Sequence, residues 1–483
     1  MCAKKVMSRR DFLNLAGITT AGAALVACGV KATETPSAAT QAPITATATT
    51  AGGVAIEGSP IEIGVIWEEG DWYNIVTEIG AQLEKDYPGT KCTYTFNNTA
   101  SDAARELRWM AGDPLDVDVF RFVSQARNTW TYVDNNYLTD LTPYMQDVLP
   151  SGEKWGDTFT AALDSFCVDT REGPTKGNVY SIPESIGVMC IQYNKKAFQE
   201  MGVEPVSTWP DFLALCDSIK EKGAANGMKP ICVSGPTSPY CAHYWDQMCL
   251  RLVGKEPVLE FFFGGKSHLR DNPDFLKAAK EIQKLYDNGY FMDGYEGADF
   301  TGAQALFFQG KAAMIHMGTW LISEMGDVVP ADFEVGIMSF PTYPGGKGFD
   351  TQNFDYTFGW SIPNPDKATS HKVNVPLAVD YLKRFSSKEA CARRAKNLAT
   401  ISATKGVEPP ARLADVQTII DKTTDVIFYY WGIHLTQGLN DLWWNAAQGL
   451  FLGKIKADEM IKQIDDEMDK YRELQKAGST QTP

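Results

Sequence analysis

The segment from residue 179 to residue 223 constrains the fold more than any other. Residues 186–193 are apolar and short enough for a strand buried in a sheet. Asn194, Lys195 and Lys196 break that run, and a short segment over 197–201 ends at Gly202. Pro205 then precedes Thr208-Trp209-Pro210-Asp211, which reads as a helix start. Thr208 caps, Pro210 is tolerated in the first turn, and Asp211 completes a capping-box-like pair. Phe212, Leu215, Cys216 and Ile219 form one apolar face, and Gly223 closes the helix. Strand, turn and helix in this order belong to an α/β domain.

The remainder of the body repeats that grammar. Residues 61–67 read as a strand, 74–87 as a helix with Ile75, Ile79 and Leu83 aligned, and 91–97 as a second strand. A helix over 101–111 stops at Gly112-Asp113-Pro114, and 117–120 is a third, short strand. This alternation predicts a mostly parallel sheet covered by helices, with ligand sites off the carboxyl ends of the strands. Those ends are 67–72 and 120–122. Further strands are expected at 230–234, 312–317, 335–340 and 358–362. Further helices are expected from Ser238 through Leu252, over 274–288 with Phe275, Ala279, Ile282 and Tyr286 on one face, and over 303–310, 375–386, 435–452 and 457–474.

The amino terminus reads as an address. Ser8-Arg9-Arg10-Asp11-Phe12-Leu13 precedes a mildly apolar run of 15 residues, 13–27, too short to span a membrane and suited to a signal segment. The arginine pair followed by Phe12 and Leu13 resembles a twin-arginine export signal, and Leu25-Val26-Ala27-Cys28 resembles a lipobox in which Cys28 is lipidated. Residues 31–51 hold seven Thr, seven Ala and two Pro, the composition of a disordered tether. Anchor and leash serve one geometry: a globular body held outside a membrane by lipid alone.

A chain of 483 residues exceeds one ordinary core, so two or more domains are expected. Its net charge is −15; the first 27 residues carry +3, leaving −18 for the rest. That sign argues against nucleic acid or an anionic membrane surface as the main partner. The ten cysteines contain no CxxC pair and the five histidines are scattered, which argues against a zinc site. Cys232, Cys241 and Cys249 are near enough in sequence to form a disulfide, although buried free thiols are the ordinary reading. Export in the folded state weakens the case for many disulfides.

Several phrases together resemble the extracellular solute-binding proteins of ABC importers, specifically the maltose-binding-protein-like group. They are Asp116-Val117-Asp118-Val119-Phe120, Tyr180-Ser181-Ile182-Pro183, Tyr193-Asn194-Lys195 with Thr208-Trp209-Pro210-Asp211-Phe212, and Phe307-Phe308-Gln309-Gly310-Lys311-Ala312-Ala313-Met314 leading to Gly318-Thr319-Trp320. Leu450-Phe451-Leu452-Gly453-Lys454-Ile455 before a final helix also matches, and the resemblance spans roughly 58–475. It implies two Rossmann-like α/β lobes joined by a multi-strand hinge, the type II periplasmic-binding-protein fold. The implied division is 1–27 signal, 28–58 lipidated Cys28 and tether, 59–184 and 360–425 first lobe, 185–359 and 426–483 second lobe. Crossings are implied at 183–188, at 358–361 and between 421 and 430. Solute is held between the lobes and closure is a hinge motion. The implied partners are a small solute, an ABC permease and the membrane through its lipid anchor. No cofactor is implied, and the protein is expected to be a monomer with no enzymatic activity.

Sugars offer apolar C–H faces and polar rims, so their pockets need aromatic platforms with a few carboxylate or Arg groups. The chain has 12 Trp and 19 Tyr. Trp67, Trp72, Trp320 and Trp360 fall at strand ends, Trp431 near the third crossing, and Tyr240 and Tyr244 at a helix start. Glu68, Asp71, Arg121 and Glu184 are their polar neighbours. These eleven are the expected solute-binding residues. The resemblance points most directly to Trp320 as the stacking residue, whereas Trp109, Trp209, Trp443 and Trp444 read as structural. The aromatic count favours carbohydrate over a polyamine, a phosphodiester or an amino-acid-like solute in the same fold. A secreted hydrolase using Glu68 and Asp71 as acid and base is a further alternative, drawn from an abundant residue type.

Overall fold

A computed structural model describes residues 56–476 apart from 67–70, 98–107, 110, 124–126, 170, 172, 264, 357, 368–371, 424 and 429–436. The signal, Cys28, the tether, Trp67, Glu68 and Trp431 therefore lie outside the described residues, as does nearly all of the helix expected over 101–111.

The strands, in chain order, are β1 (Pro60–Ile66), β2 (Lys91–Asn97), β3 (Val119–Val123), β4 (Ile182–Pro183), β5 (Ser185–Asn194), β6 (Lys229–Cys232), β7 (Ala312–Gly318), β8 (Val335–Met338), β9 (Gln352–Tyr356), β10 (Phe358–Ser361), β11 (Ile401–Ser402) and β12 (Asp425–Phe428). They form two sheets. The first has the order β2-β1-β3-β10-β4, with β1 parallel to β2 and β3 and with β10 antiparallel to β3 and β4. The second runs β12-β9-β5-β7-β6, and β8 and β11 also pair with β5. The expected parallel triplet is the nucleus of the first sheet. Its antiparallel member comes from far along the chain, a pairing that no local pattern encodes.

Each sheet carries its own core. In the first, the helix Asp71–Asp86 turns Trp72, Ile75, Val76, Ile79 and Leu83 inward onto Ile61 and Ile63 of β1, a 3.6-residue stripe meeting a two-residue one. In the second, the helix Trp209–Gly223 starts as the sequence implies. Thr208 Oγ1 accepts a hydrogen bond from the Asp211 amide, and Pro210 occupies the first turn. The Trp209 indole stacks between the rings of Phe212 and Phe340, and its N–H reaches Glu281 at 3.0 Å. Ile186 packs against both cores, so β5 begins at their boundary. Its residues Ser185 and Ile186 pair with β11, Gly187 and Val188 with β9, and Met189 to Tyr193 with β7.

The structure differs from the sequence reading at several points. Phe358 to Ser361 lies wholly in the first sheet, so the chain passes from the second sheet to the first between β9 and β10. Within 360–425, Ala403 packs in the first core, whereas Ile401, Leu413, Val416 and Ile419 pack in the second. Tyr286 is also not on the buried face of its helix, which is built by Phe275, Ala278, Ala279, Ile282 and Leu285. The helix that begins at Ser238 ends at Met248 and continues as a π-helical turn, Cys249–Val253. All eight described cysteines are free thiols, and seven of them are buried. Cys232, Cys241 and Cys249 thus form no disulfide.

Candidate functional site

On the first sheet, the middle of β3 carries Arg121. Its Nε donates to Glu184 Oε2 at 2.6 Å and its Nη2 to Oε1 at 2.7 Å, a bidentate pair with side chains 7% and 4% exposed. The Trp360 indole N–H donates to the same carboxylate at 2.8 Å. Register explains the cluster: Arg121 faces Trp360 across β3 and β10, and Trp360 faces Ile182 across β10 and β4, two residues before Glu184. The guanidinium lies 3.7 Å from the centroid of the Phe358 ring and 5.2 Å from that of Trp72. Trp72 in turn meets Trp360 edge-on at 6.2 Å. Arg121, Glu184, Trp72 and Trp360 are thus one assembly. Trp360 is fully buried and Trp72 nearly so, and each ring packs on protein. They wall a buried ion pair and offer no stacking face.

Asp71, at the start of the first helix, is also engaged. Arg393 Nε donates to its carboxylate at 2.9 Å and Asn397 Nδ2 at 2.7 Å. Burial alone would raise its pKa, but these hydrogen bonds outweigh it and hold the carboxyl below the usual range. Its partners sit on the helix Lys388–Leu398, which the sequence reading did not anticipate, so Asp71 ties two helices together.

On the second sheet, β6 and β7 are parallel neighbours, and their carboxyl ends carry the other candidates. β7 ends at Gly318. The half-buried indole of Trp320 folds back over that glycine so closely that a Cβ there would lie 2.1 Å from the ring. The Gly-x-Trp spacing therefore has a steric cause. Gln192 Nε2 holds the turn by donating to the Gly318 carbonyl at 2.8 Å, and Thr319 exchanges hydrogen bonds with the Val188 backbone. Beyond β6, Tyr240 is half-buried and packs on Phe300 at 4.6 Å between ring centroids. Phe300 escaped the sequence reading; its signal was Asp299, which caps the helix Phe300–Phe308 by accepting from the Gly302 amide. Tyr244, by contrast, is buried. It is 1% exposed, packed among His316, Phe340 and Phe451.

Behind Tyr240 lie two buried imidazoles, His243 and His316. Desolvation lowers the pKa of both, to about 3 for His316, where nearby Arg251 adds to the effect; the charge of His316 adds to it for His243. In the unfolded chain a histidine titrates near 6.5, so below that pH the unfolded state binds more protons. The stability these neutral rings confer is complete above about pH 6.5 and is lost progressively as the pH falls toward about 3. The melting temperature is expected to drop on titration from pH 7 to pH 4, and His316→Gln is expected to flatten that drop.

The sequence pattern of one protein family covers residues 67–389: bacterial extracellular solute-binding protein. The chain belongs to this family. Among curated relatives, this solute-binding protein is 27% identical over 179 residues to the multiple sugar-binding protein of Streptococcus mutans, covering 35% of this chain and 40% of that one. It is 22% identical over 321 residues to the diacetylchitobiose binding protein NgcE of Streptomyces coelicolor, covering 62% and 65%. The chain spans 40% and 57% of the length of the first two curated relatives that it matches. Among solved structures, a chitin oligosaccharide binding protein superposes with a TM-score of 0.72 at 19% identity, covering 86% of this chain and 99% of that one. RafE in complex with raffinose superposes with a TM-score of 0.63, also at 19% identity, over 84% and 98%. The fold is that of the type II periplasmic binding proteins.

Proposed function

We propose that this solute-binding protein captures a mono- or oligosaccharide between two lobes by hinge closure and delivers it to an ABC import permease. The lobes are the two sheets with their cores. Their connections are at 183–186, between β9 and β10 and, for the return, between 398 and 413. The observation that carries the reading is the half-buried Trp320 indole, folded close over Gly318 at a strand carboxyl end, where a sugar's C–H face would stack. The relatives named for sugars, and RafE with raffinose, support carbohydrate as the solute class. Membership of a solute-binding family argues against the hydrolase alternative.

A thermal-shift screen tests the proposal. A solute that binds only the folded state stabilises it by about 2.7 kcal/mol at a hundredfold excess over Kd. Raffinose, stachyose, chito-oligosaccharides and xylo-oligosaccharides are the sugar arm; polyamines and amino acids are the other. A shift confined to the second arm would overturn the carbohydrate reading.

Lipidation at Cys28 and twin-arginine export complete the proposal. The free buried thiols support export of an already folded chain, because they are sealed before meeting an oxidant. Cys28→Ser is expected to leave solute binding intact and to move the protein from the membrane fraction to the soluble one. Retention in membranes would contradict the lipid anchor.

A further inference from the structure

Arg251 is a fully buried cation that the binding site does not use. It lies in the π-helical turn Cys249–Val253 of the second core, a helix irregularity often found at functional positions. Among the described residues no carboxylate forms an ion pair with it. Its guanidinium is spent on backbone and amide oxygens of one segment. Nε donates to the Phe340 carbonyl at 3.3 Å, Nη1 to the carbonyls of Phe349 and Gln352, and Nη2 to Asn353 Oδ1 at 3.4 Å. Five N–H donors in a rigid fork suit this task as no lysine does. The backbone of the turn adds to the grip, since the Gly348 amide donates to the Arg251 carbonyl and the Lys347 amide to that of Leu252. A Cβ at Gly346 would lie 2.3 Å from the Arg251 oxygen, so the loop lies directly on the turn.

The segment that Arg251 holds is the one that becomes β9. Asn353, which accepts from the guanidinium, passes the connection on: its Nδ2 donates to Thr423 Oγ1 at 3.0 Å, and Thr423 immediately precedes 424 and β12. β9 pairs with Gly187 and Val188 of β5 on one side and with β12 on the other. One buried cation therefore reaches β9 directly and the approach to β12 through one side chain. One residue beyond β9 the chain enters β10 and the first sheet.

We propose that Arg251 is a positioning residue for the hinge, a role that rests on the two-lobe closure reading. It fixes the second-lobe end of β9 to the core so that rotation is confined to the step between β9 and β10 and to 183–186. A side chain that only fills the core would stabilise the second lobe as a whole. A side chain that sets the hinge acts on β9 and β12 in particular and on the relative freedom of the lobes.

Hydrogen exchange and small-angle scattering of the full-length protein without solute separate the two. Arg251→Lys keeps the charge but not the fork. It is expected to speed amide exchange roughly tenfold in β9 and β12 while leaving β7 and β1 unchanged, and to broaden the scattering profile. Thr423→Val, which removes only the far end of the chain of hydrogen bonds, guards against a variant that fails to fold and is expected to act in the same direction on β12. Uniform acceleration across β7 and β9, or unchanged exchange in β9 and β12, would overturn the assignment. Because no solute is present, this result stands apart from the sugar screen.

Discussion

Glu184→Gln is expected to destabilise the protein by about 3–5 kcal/mol, the cost of leaving a buried guanidinium without its counter-charge. Both side chains of the Arg121–Glu184 pair are sealed from water, and the carboxylate accepts from the guanidinium twice and from the Trp360 indole once. An amide of the same shape presents an N–H to one of those donors, so the variant loses a charge and gains a clash of donors. The Glu184 backbone amide also donates to the Phe358 carbonyl at 2.9 Å, so the disruption falls where the chain leaves the first sheet. Urea denaturation measures the loss. The double variant Arg121→Met with Glu184→Leu is the control: removing both charges from a dry site is expected to recover most of it. A loss below about 1 kcal/mol in the single variant would place the pair with water-screened surface ion pairs.

Trp320→Ala is expected to weaken solute binding by about 1–3 kcal/mol through lost stacking area, with the fold retained. The indole is half-buried at the margin of the second core, over Gly318, so truncation uncovers that glycine and removes only a peripheral contact of the core. Gly318→Ala tests the same surface from beneath. Its Cβ would lie 2.1 Å from the ring and must displace it, so affinity is expected to fall while the indole itself is still present. Calorimetry with whichever sugar raises the melting temperature reads both variants. Unchanged affinity in Trp320→Ala would remove the residue from the site.

What was legible in the sequence is what local physics writes there. The capped helix at Thr208, the alternation of β1 and β2, and the glycine before Trp320 each have causes within a few residues. What was not legible depends on partners hundreds of residues away. Trp360 reads as an aromatic at a strand end, and only the antiparallel pairing of β10 between β3 and β4 turns it inward over Glu184. Asp71 reads as an open carboxylate until the helix Lys388–Leu398 brings Arg393 against it. That helix was missed because its stretch is largely polar and charged, with a buried face of Ala390, Cys391, Arg394 and Ala395 instead of the usual large aliphatic residues. Phe300 was missed because its ring pairs with Tyr240 across a gap of sixty residues that no periodicity spans.

The sealed thiols bear on how long one molecule of this protein lasts. Burial pushes the Cys216, Cys232, Cys241 and Cys249 thiols far up, so the folded chain holds almost no thiolate there for an oxidant to attack. Unfolding removes that protection from all of them at once. In an oxidising medium each unfolding opens these sulfurs to cross-linking, and the described native thiols form no bridges to guide them back. Each unfolding outside the cell therefore carries a risk of irreversible loss. Working life there is set by the height of the unfolding barrier rather than by the depth of the native well.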